Sequence, residues 1–473
     1  MPDAGGRFPQ KGLLIVKTVF RIAAFLCATW IGSVPLTCAQ TTGAASTAED
    51  CDRRASQEKD RWGKAGKHVW LSSKLHNQQV ETKQTWCHIW VTPGYERVHQ
   101  VEDFGRMVFT GEGIHPSLGS IVPGSGMAGG LALNLARATN SPPIRYSGNV
   151  EARGSMNGFW VAGGQLNLLG AGASDNDEHI HATFSVKHHS LPKLTYFGLD
   201  NSSLLSNESV YGIEKTNVRA EIAIPLPYSF TFSAASEGLW ANPEGNHDSK
   251  LPSIEQNFTP ADTPALDVST TYFVYGAGLA WKYPSAEKMY GYRTNVGGSF
   301  RMFHETTGAP FSFRRLNAAW EQHYTPDTRF DFGSFSLTSR LVESFGPAGN
   351  AVPFYLQPTL GGSDIDSVSD LRSYRDYRFR APNALSFQAD YERVIKDPLG
   401  ALFFYDVGRV ALQRSDLDIS HMRHSFGIGM TIRAGNLPVI KLYYAWGGRE
   451  GTHTTFGANT NALGDDPVMS GVF

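Results

Sequence analysis

Apolar residues occupy every second position in one segment after another from Gly111 onward. In Ser425–Arg433 the apolar face consists of Phe426, Ile428, Met430 and Ile432, with polar or small residues between them. The same alternation runs through Phe159–Leu168, Asn217–Ile224, Thr271–Tyr283, Ala384–Arg393 and Val439–Trp446. A repeat of two residues predicts β-strands, because a helix would repeat about every 3.6 residues.

The length of these segments separates a membrane barrel from a soluble β-sandwich, whose strands also alternate. Sandwich strands are typically about five or six residues long. These segments run to about ten to fifteen residues, the length that a tilted strand needs to cross a bilayer. The mean hydropathy of −0.26 excludes a bundle of membrane helices but agrees with strands that turn every second residue to lipid. The sequence therefore predicts an all-β fold, a transmembrane antiparallel β-barrel of about sixteen strands.

Connection lengths predict an orientation, because outer-membrane barrels have short periplasmic turns and longer external loops. The short connections are Asn157-Gly158, Pro225–Pro227, Pro284–Glu287, Thr325–Asp327, Lys396–Gly400 and Gly435-Asn436. The long connections are Leu239–Leu266, Val342–Asn383 and Gln413–Met422. Two assignments stay open: Leu194–Leu199 is the weakest strand, and the last strand is either Thr452–Asn459 or Pro467–Phe473.

Residues 1–39 have the pattern of a secretory signal peptide. The basic residues Arg7, Lys11, Lys17 and Arg21 precede the apolar stretch Ile22–Val34, and small residues lead to a cleavage site before Gln40. The apolar stretch is too short to span a bilayer. An exported barrel is expected in the bacterial outer membrane.

Residues 40–115 are polar and charged, and they predict a partly helical periplasmic or plug segment before the barrel in residues 116–473. Cleavage leaves Cys51 and Cys87, which an oxidising compartment would allow to pair; two free cysteines are the alternative. Two cysteines alone do not complete a tetrahedral zinc site, so no metal is expected. The net charge of −2 lacks the basic excess of a nucleic-acid-binding protein.

The long connection after Val342 contains a more specific set of residues. Leu360-Gly361-Gly362-Ser363 is followed by Leu371-Arg372-Ser373-Tyr374 and by Tyr377-Arg378-Phe379-Arg380. The second strand after this connection contains Phe404-Tyr405-Asp406-Val407-Gly408. Asp406 and Gly408 share its polar face, where Gly408 would leave room for an incoming guanidinium. An arginine fork can bind a carboxylate through two hydrogen bonds.

These residues resemble the BamA/TamA surface-antigen superfamily of outer-membrane barrels, best over Val352–Trp446. In that family a Val-Arg-Gly-Phe/Tyr motif lies on the long sixth external loop, and its arginine pairs with the aspartate of a Phe/Gly-x-Asp-x-Gly strand motif. The matching residues here are Arg372 and Tyr374 in the loop, and Phe404, Asp406 and Gly408 in the strand. The resemblance implies that Arg372 and Asp406 lock the loop inside the lumen. Ser373 replaces the motif glycine, which puts the tight loop geometry in question.

The resemblance implies a non-enzymatic barrel that assists insertion or translocation of proteins or lipids at the outer membrane. The family mechanism uses a weak lateral seam between the last strand and the first, here Leu131, Leu133 and Leu135, since a free edge can template an incoming strand. The expected partners are outer-membrane lipids including lipopolysaccharide, unfolded barrel clients and a separate periplasmic POTRA protein. The alternative is a passive or specialised pore or a surface antigen, because residues 40–115 lack the β-α-α-β-β order of a POTRA module.

Other candidate chemistry is weaker. His179, His181, His188 and His189 could form a metal site, although exposed or girdle histidines are commoner. Arg314, Arg315, Arg375, Arg378 and Arg380 could bind lipopolysaccharide phosphates or be ordinary lumen and loop charge. The sequence has no nucleophile elbow, P-loop or His-Glu-x-x-His motif, so neither a cofactor nor an enzymatic activity is expected. A hydrolase site assembled from separate loops is a third alternative.

Overall fold

A computed structural model describes residues 48–64, 70–91, 113–138, 144–170, 180–247, 249–284, 291–326, 333–364, 368–396, 399–434, 437–447, 450 and 452–458. The chain divides into two compact units. The first unit comprises the chain up to Leu118 together with Gly129–Ala136 and Gly148–Gly154, and the second comprises the rest. The predicted signal peptide and the alternative last strand Pro467–Phe473 lie outside the described residues.

A helical hairpin lies in the segment predicted to be partly helical. It consists of α1 (Ala48–Lys64) and α2 (Trp70–Val91). Three links join the helices in antiparallel order: the disulfide Cys51–Cys87, Lys83 Nζ to Glu58 Oε1 at 2.9 Å, and Lys59 Nζ to Glu81 Oε1 at 3.0 Å. A third, four-residue helix, α3, is Ile254–Asn257. Among the described residues, no helix combines the length and the apolar character needed to span a bilayer.

Sixteen strands of the described residues form one sheet in chain order. They are β1 (Gly113–Gly119), β2 (Ala128–Ala138), β3 (Arg145–Ser155), β4 (Trp160–Leu169), β5 (His181–Tyr196), β6 (Ser209–Leu226), β7 (Phe230–Gly245), β8 (Thr270–Tyr283), β9 (Gly291–Glu305), β10 (Phe313–Thr325), β11 (Ser334–Phe345), β14 (Asn383–Lys396), β15 (Leu399–Ala411), β16 (Arg423–Ala434), β17 (Leu437–Trp446) and β18 (Thr452–Ala458). The short strands β12 (Thr359–Leu360) and β13 (Phe379–Arg380) pair with each other inside the connection from β11 to β14. Neighbouring strands from β4 to β18 are antiparallel. The predicted fold class is confirmed, with sixteen strands in the sheet.

The two faces of the sheet in the second unit differ in character. Large apolar side chains on one face, called here the outer face, are 40% exposed or more; they include Phe273, Leu279, Phe403, Ile428, Met430 and Leu442. The residues that alternate with them lie on the inner face and are buried, among them Tyr272, Ser425 and Thr431. A continuous exposed surface of aromatic and aliphatic side chains fits hydrocarbon rather than water.

Charged side chains on the inner face pair with one another, both across strands and along one strand. Arg301 Nη2 on β9 lies 2.8 Å from Glu237 Oε2 on β7. Arg219 on β6 lies 2.8 Å from Glu221 and 3.7 Å from Glu237. Each of these charges on the inner face is thus neutralised by a partner, which agrees with the polar interior expected of a barrel.

The connections after β5, β7, β11 and β15 lie at one end of the sheet, called here the loop end. The Asn157-Gly158 turn also lies there, so its predicted place with the short turns is wrong. Phe159 belongs to one buried cluster with Ile254 and Phe354 of the long connections. Chain direction decides the position, because β4 starts at this turn and runs antiparallel to β5, whose last residues lead into the 197–208 connection. The length of the turn, taken alone, predicted the opposite end of the sheet.

Three strand assignments are settled by the sheet. β1 precedes the segment predicted to be first, so Leu131, Leu133 and Leu135 lie on β2, the second strand, and not at the start of the sheet. The sequence signal of β1 is weak because the strand is seven residues long and contains Pro116, which only edge strands tolerate well. Leu194–Leu199 is not a separate strand, since β5 continues to Tyr196. The last described strand is Thr452–Ala458, the first of the two alternatives.

Candidate functional site

The connection of residues 346–382, called here the long loop, crosses the interior of the second unit. The Asp200 amide, between β5 and β6, donates to the Arg380 carbonyl at 2.7 Å. The Tyr377 hydroxyl donates to the Pro123 carbonyl, between β1 and β2, at 3.2 Å. These partners lie far from β11 and β14 in the order of the sheet. The loop therefore folds inward over the inner face.

The long loop is the sixth connection at the loop end. It follows β11, and the five earlier connections at that end follow β1, β3, β5, β7 and β9. This is the position that the family resemblance assigns to the loop with the arginine motif. The sheet of sixteen strands in chain order and the place of this loop agree with the fold that the resemblance implies.

A tight backbone approach closes the loop on itself at Gly361. Its amide donates to the Asp370 carbonyl at 3.1 Å, and its carbonyl accepts from the Tyr377 amide at 3.1 Å. Gly361 has a φ of 108°, and a Cβ placed there would lie 2.6 Å from the Cβ of Arg378. Only glycine fits this conformation and contact, so the loop's two halves can pack directly together.

The two residues matched to the family's ion pair are in direct contact. The Arg372 guanidinium donates to Asp406 from Nε to Oδ2 at 3.0 Å and from Nη2 to Oδ1 at 2.6 Å. The Arg372 backbone amide donates to the same Oδ2 at 3.0 Å. Asp406 is 1% exposed, and the Arg372 side chain is 7% exposed. The pair is a buried, bidentate fork reinforced by a backbone hydrogen bond.

A second carboxylate, to which sequence reasoning gave no role, completes the site. Arg372 Nη2 lies 2.5 Å from Asp390 Oδ1 on β14. The guanidinium carbon lies 3.7 Å from the ring centroid of Phe404, which therefore adds a cation–π contact. Burial by itself lowers the pKa of Arg372, but the charges of Asp390 and Asp406 outweigh it and raise that pKa above its ordinary value. Arg372 is thus a permanent cation held between two strands.

The other matched residues support the loop rather than the cation. The sequence predicted that Gly408 leaves room for the guanidinium. A Cβ at Gly408 would instead lie 2.9 Å from Leu360 Cδ1, so this glycine makes room for the loop. Tyr374 is buried, and its ring packs edge-on against Phe379 with 5.1 Å between centroids. Both contacts fix the loop against the inner face.

The serine that replaces the motif glycine fits without backbone strain. The Ser373 amide donates to Ser425 Oγ on β16 at 2.8 Å. The left-handed backbone falls instead at Leu371, with a φ of 51°. The glycine of the family motif is therefore not needed here for the turn.

Neighbouring strands also hold the loop. The additional anchors are Arg340 Nη1 of β11 donating to Asp370 Oδ2 at 3.1 Å, and Gln388 Nε2 of β14 donating to the Ser369 carbonyl. Together with the contacts of Arg372 and Ser373, they attach the segment 369–373 to four consecutive strands, β11, β14, β15 and β16.

A second arginine of the loop forms an ion pair that sequence reasoning missed. Arg378 is fully buried, and its Nε and Nη2 lie 2.7 and 2.6 Å from the two carboxylate oxygens of Glu450, between β17 and β18. Its remaining donors reach Ser203 Oγ at 2.8 Å and the Ser203 carbonyl at 2.7 Å. No motif marked Glu450, because a lone acidic residue in a short connection has no distinctive pattern.

The arginines considered for lipopolysaccharide binding are mostly turned inward. Arg378 and Arg380 are buried, and Arg380 donates to the Phe354 carbonyl at 2.7 Å. Arg315 donates to the Leu356 carbonyl at 2.6 Å. The Arg375 side chain is 52% exposed, but it pairs with Glu208 at 2.5 Å. Loop anchoring therefore accounts for the buried members of this set.

The remaining predicted residues do not join the site. Cys51 and Cys87 are bonded to each other within the first unit. The seam residues Leu131, Leu133 and Leu135 also lie in the first unit. His188 Nδ1 lies 2.7 Å from Thr216 Oγ1, and His179 lies outside the described residues. The described part of the chain contains no group of three or more side chains placed to hold a metal ion.

Comparison with solved structures finds proteins of low sequence identity that match about three quarters of this chain. A structure of BamA from Haemophilus ducreyi lacking POTRA domains 1–3 is 11% identical, with a TM-score of 0.47, over 76% of this chain and 77% of that chain. CdiB from Acinetobacter baumannii is 9% identical, with a TM-score of 0.42, over 77% of this chain and 67% of that one. CdiB from Escherichia coli is 12% identical, with a TM-score of 0.42, over 72% and 62%. No protein-family model and no curated protein matches the chain.

Proposed function

We propose that this protein is an outer-membrane β-barrel that assists the insertion or translocation of proteins or lipids, without catalysing a chemical reaction. The observation that carries the proposal is the long loop held on the inner face by Arg372 between Asp406 and Asp390. A buried ion pair adds little net stability relative to apolar packing, but it can fix one geometry. The ion pair therefore fixes the loop in one position, which apolar packing alone would not do.

The loop's reach supports this function. It contacts connections next to both ends of the strand order, through Tyr377 with Pro123 and through Arg378 with Glu450. Strands at the ends of a sheet are the ones that can pair with an incoming strand. A single element that touches both connections can couple its position to the state of those edges.

The proposed partners follow from the surfaces. The exposed apolar outer face suits outer-membrane lipids, including lipopolysaccharide. Unfolded barrel proteins are the proposed clients, and a separate periplasmic POTRA protein is proposed to deliver them. These assignments extend the family resemblance and the chemistry of the faces.

Depletion of the protein in its native bacterium tests the proposal. We expect several other outer-membrane barrels to fall in abundance, measured by quantitative mass spectrometry of outer-membrane fractions. Wild-type protein supplied from a plasmid should restore them, whereas Arg372→Ala should restore them poorly. Normal assembly of all other barrels during depletion would refute the insertion role.

A pore is the second candidate, favoured by the charged inner face around Arg219, Glu237 and Arg301. Ion conductance measured in planar bilayers distinguishes the two functions. Steady ion conductance by the purified protein, combined with normal barrel assembly during depletion, would favour the pore. Low conductance with failing assembly would favour the proposed function.

A further inference from the structure

The Gln78 side chain of the helical hairpin is bonded to the first strand of the sheet. Gln78 Nε2 on α2 donates to the Ile114 carbonyl at 2.5 Å, and the Ile114 amide donates to Gln78 Oε1 at 3.2 Å. In an antiparallel sheet, the amide and carbonyl of one residue point the same way and bond to one residue of the neighbouring strand. The Gln78 side chain thus satisfies the groups of Ile114 that a neighbouring strand would use.

The residue before Ile114 permits this close approach. Gly113 has a φ of 103°, and a Cβ placed there would lie 2.6 Å from Gln78 Oε1. A larger residue would push the amide away from β1, besides being strained in that conformation. The local sequence therefore suits the glutamine contact from the strand side as well.

The glutamine is presented by a braced structure. The disulfide between Cys51 and Cys87 closes the far end of the α1–α2 hairpin. Next to Gln78 on α2, Val80 and Thr82 are 1% and 3% exposed. The Thr82 hydroxyl donates to the Gln78 carbonyl at 2.8 Å. The side-chain amide is therefore held at a defined place instead of being carried by a mobile segment.

We propose that the α1–α2 hairpin is a removable cap on β1, and that an extended client segment displaces Gln78 to pair with this strand. A single amide supplies two hydrogen bonds, whereas a paired strand can supply bonds along the seven residues of β1. The cap protects the edge from adventitious pairing but yields to a longer partner. This inference rests on the proposed function and adds the regulation of its acceptor edge.

Peptide capture by the purified full-length protein tests the cap. A photo-crosslinking amino acid replaces Leu118, which lies on β1 and is 53% exposed. The probe is a biotinylated peptide with the alternating sequence of Ser425–Arg433. We expect Gln78→Ala to raise the captured fraction about fivefold, as expected for about one net hydrogen bond of 1 kcal/mol. Gln78→Asn should act in the same direction, because the amide remains but its reach is one methylene shorter.

The matched control is Gln84→Ala on the same helix. Its side chain donates to Asp52 Oδ1 of α1 at 2.7 Å and not to β1, so capture should stay at the wild-type level. Hydrogen exchange at the Ile114 amide should quicken in the Gln78 variants only. Equal capture by the wild type and both Gln78 variants, a rise with Gln84→Ala, or no capture by any of them would each overturn the cap. The assay contains no living cell, so its result is independent of the depletion experiment that tests the proposed function.

Discussion

Replacing Arg372 with alanine should lower the free energy of unfolding by about 3–5 kcal/mol, because it leaves buried carboxylates without their cation. Asp406 is 1% exposed and Asp390 is 28% exposed, so the larger part of the effect comes from Asp406. The long loop should also lose the guanidinium contacts with β14 and β15, leaving the weaker contacts of Gln388 with the Ser369 carbonyl and of the residue-372 amide with Asp406. Heat-modifiable gel mobility measures the change: the folded band should disappear at a lower temperature.

Arg375→Ala is the control for this experiment. It removes an arginine from the same loop, but its side chain is 52% exposed and pairs with Glu208 near the surface. Exposed ion pairs contribute about 0–1 kcal/mol, so the folded band should persist as in the wild type. Asp406→Asn, which keeps the shape and removes the charge, should fall between the two because Asp390 still faces Arg372. Wild-type mobility in both Arg372→Ala and Asp406→Ala would contradict the lock.

Replacing Arg378 with alanine should have an effect of similar size, about 3–5 kcal/mol, because it breaks a second buried ion pair. The arginine is fully buried, and the Glu450 side chain is 20% exposed. Arg378 also donates to Ser203, so its loss weakens the contact of the loop with two connections at once. We expect β17 and β18 to loosen while β14 and β15 keep their contact with Arg372.

Hydrogen exchange resolved along the chain measures this difference. Exchange in residues 437–458 should quicken in Arg378→Ala and in Glu450→Ala, and residues 383–411 should change less. The variant lacking both side chains should be less destabilised than the sum of the two single variants, because neither charge is then left unpaired. Additive effects would show that the two residues do not depend on each other.

Much of the fold could be predicted because membrane strands repeat every two residues over long segments. The alternation located most strands, and the motif positions led to Arg372 and Asp406, which are bonded to each other. The position of Asp390 on the inner face followed from the same alternation. Its role did not, because a contact with a loop across the interior leaves no periodic signal.

The wrong or missing predictions also have physical causes. β1 was missed because it is short and contains Pro116, and the seam residues were consequently assigned to the wrong strand. The turn at Asn157-Gly158 was placed by its length, although chain direction determines the end of the sheet at which a turn lies. Arg378 appeared as one of several loop arginines, since its partner Glu450 lies 72 residues away in sequence.

The central claim is that the long loop lies against the inner face beside Asp406, and a cysteine cross-link tests it most directly. The Ser373 amide is 2.8 Å from Ser425 Oγ, so Ser373→Cys combined with Ser425→Cys should form a disulfide in intact cells, detected by mass spectrometry of the linked peptides. Ser373→Cys with Thr431→Cys is the control, since Thr431 lies on the same strand and face but about 20 Å farther along. We predict linkage of the first pair and none of the second. Failure of the first pair to link in correctly folded protein, or equal linkage of both, would contradict the inward position of the loop.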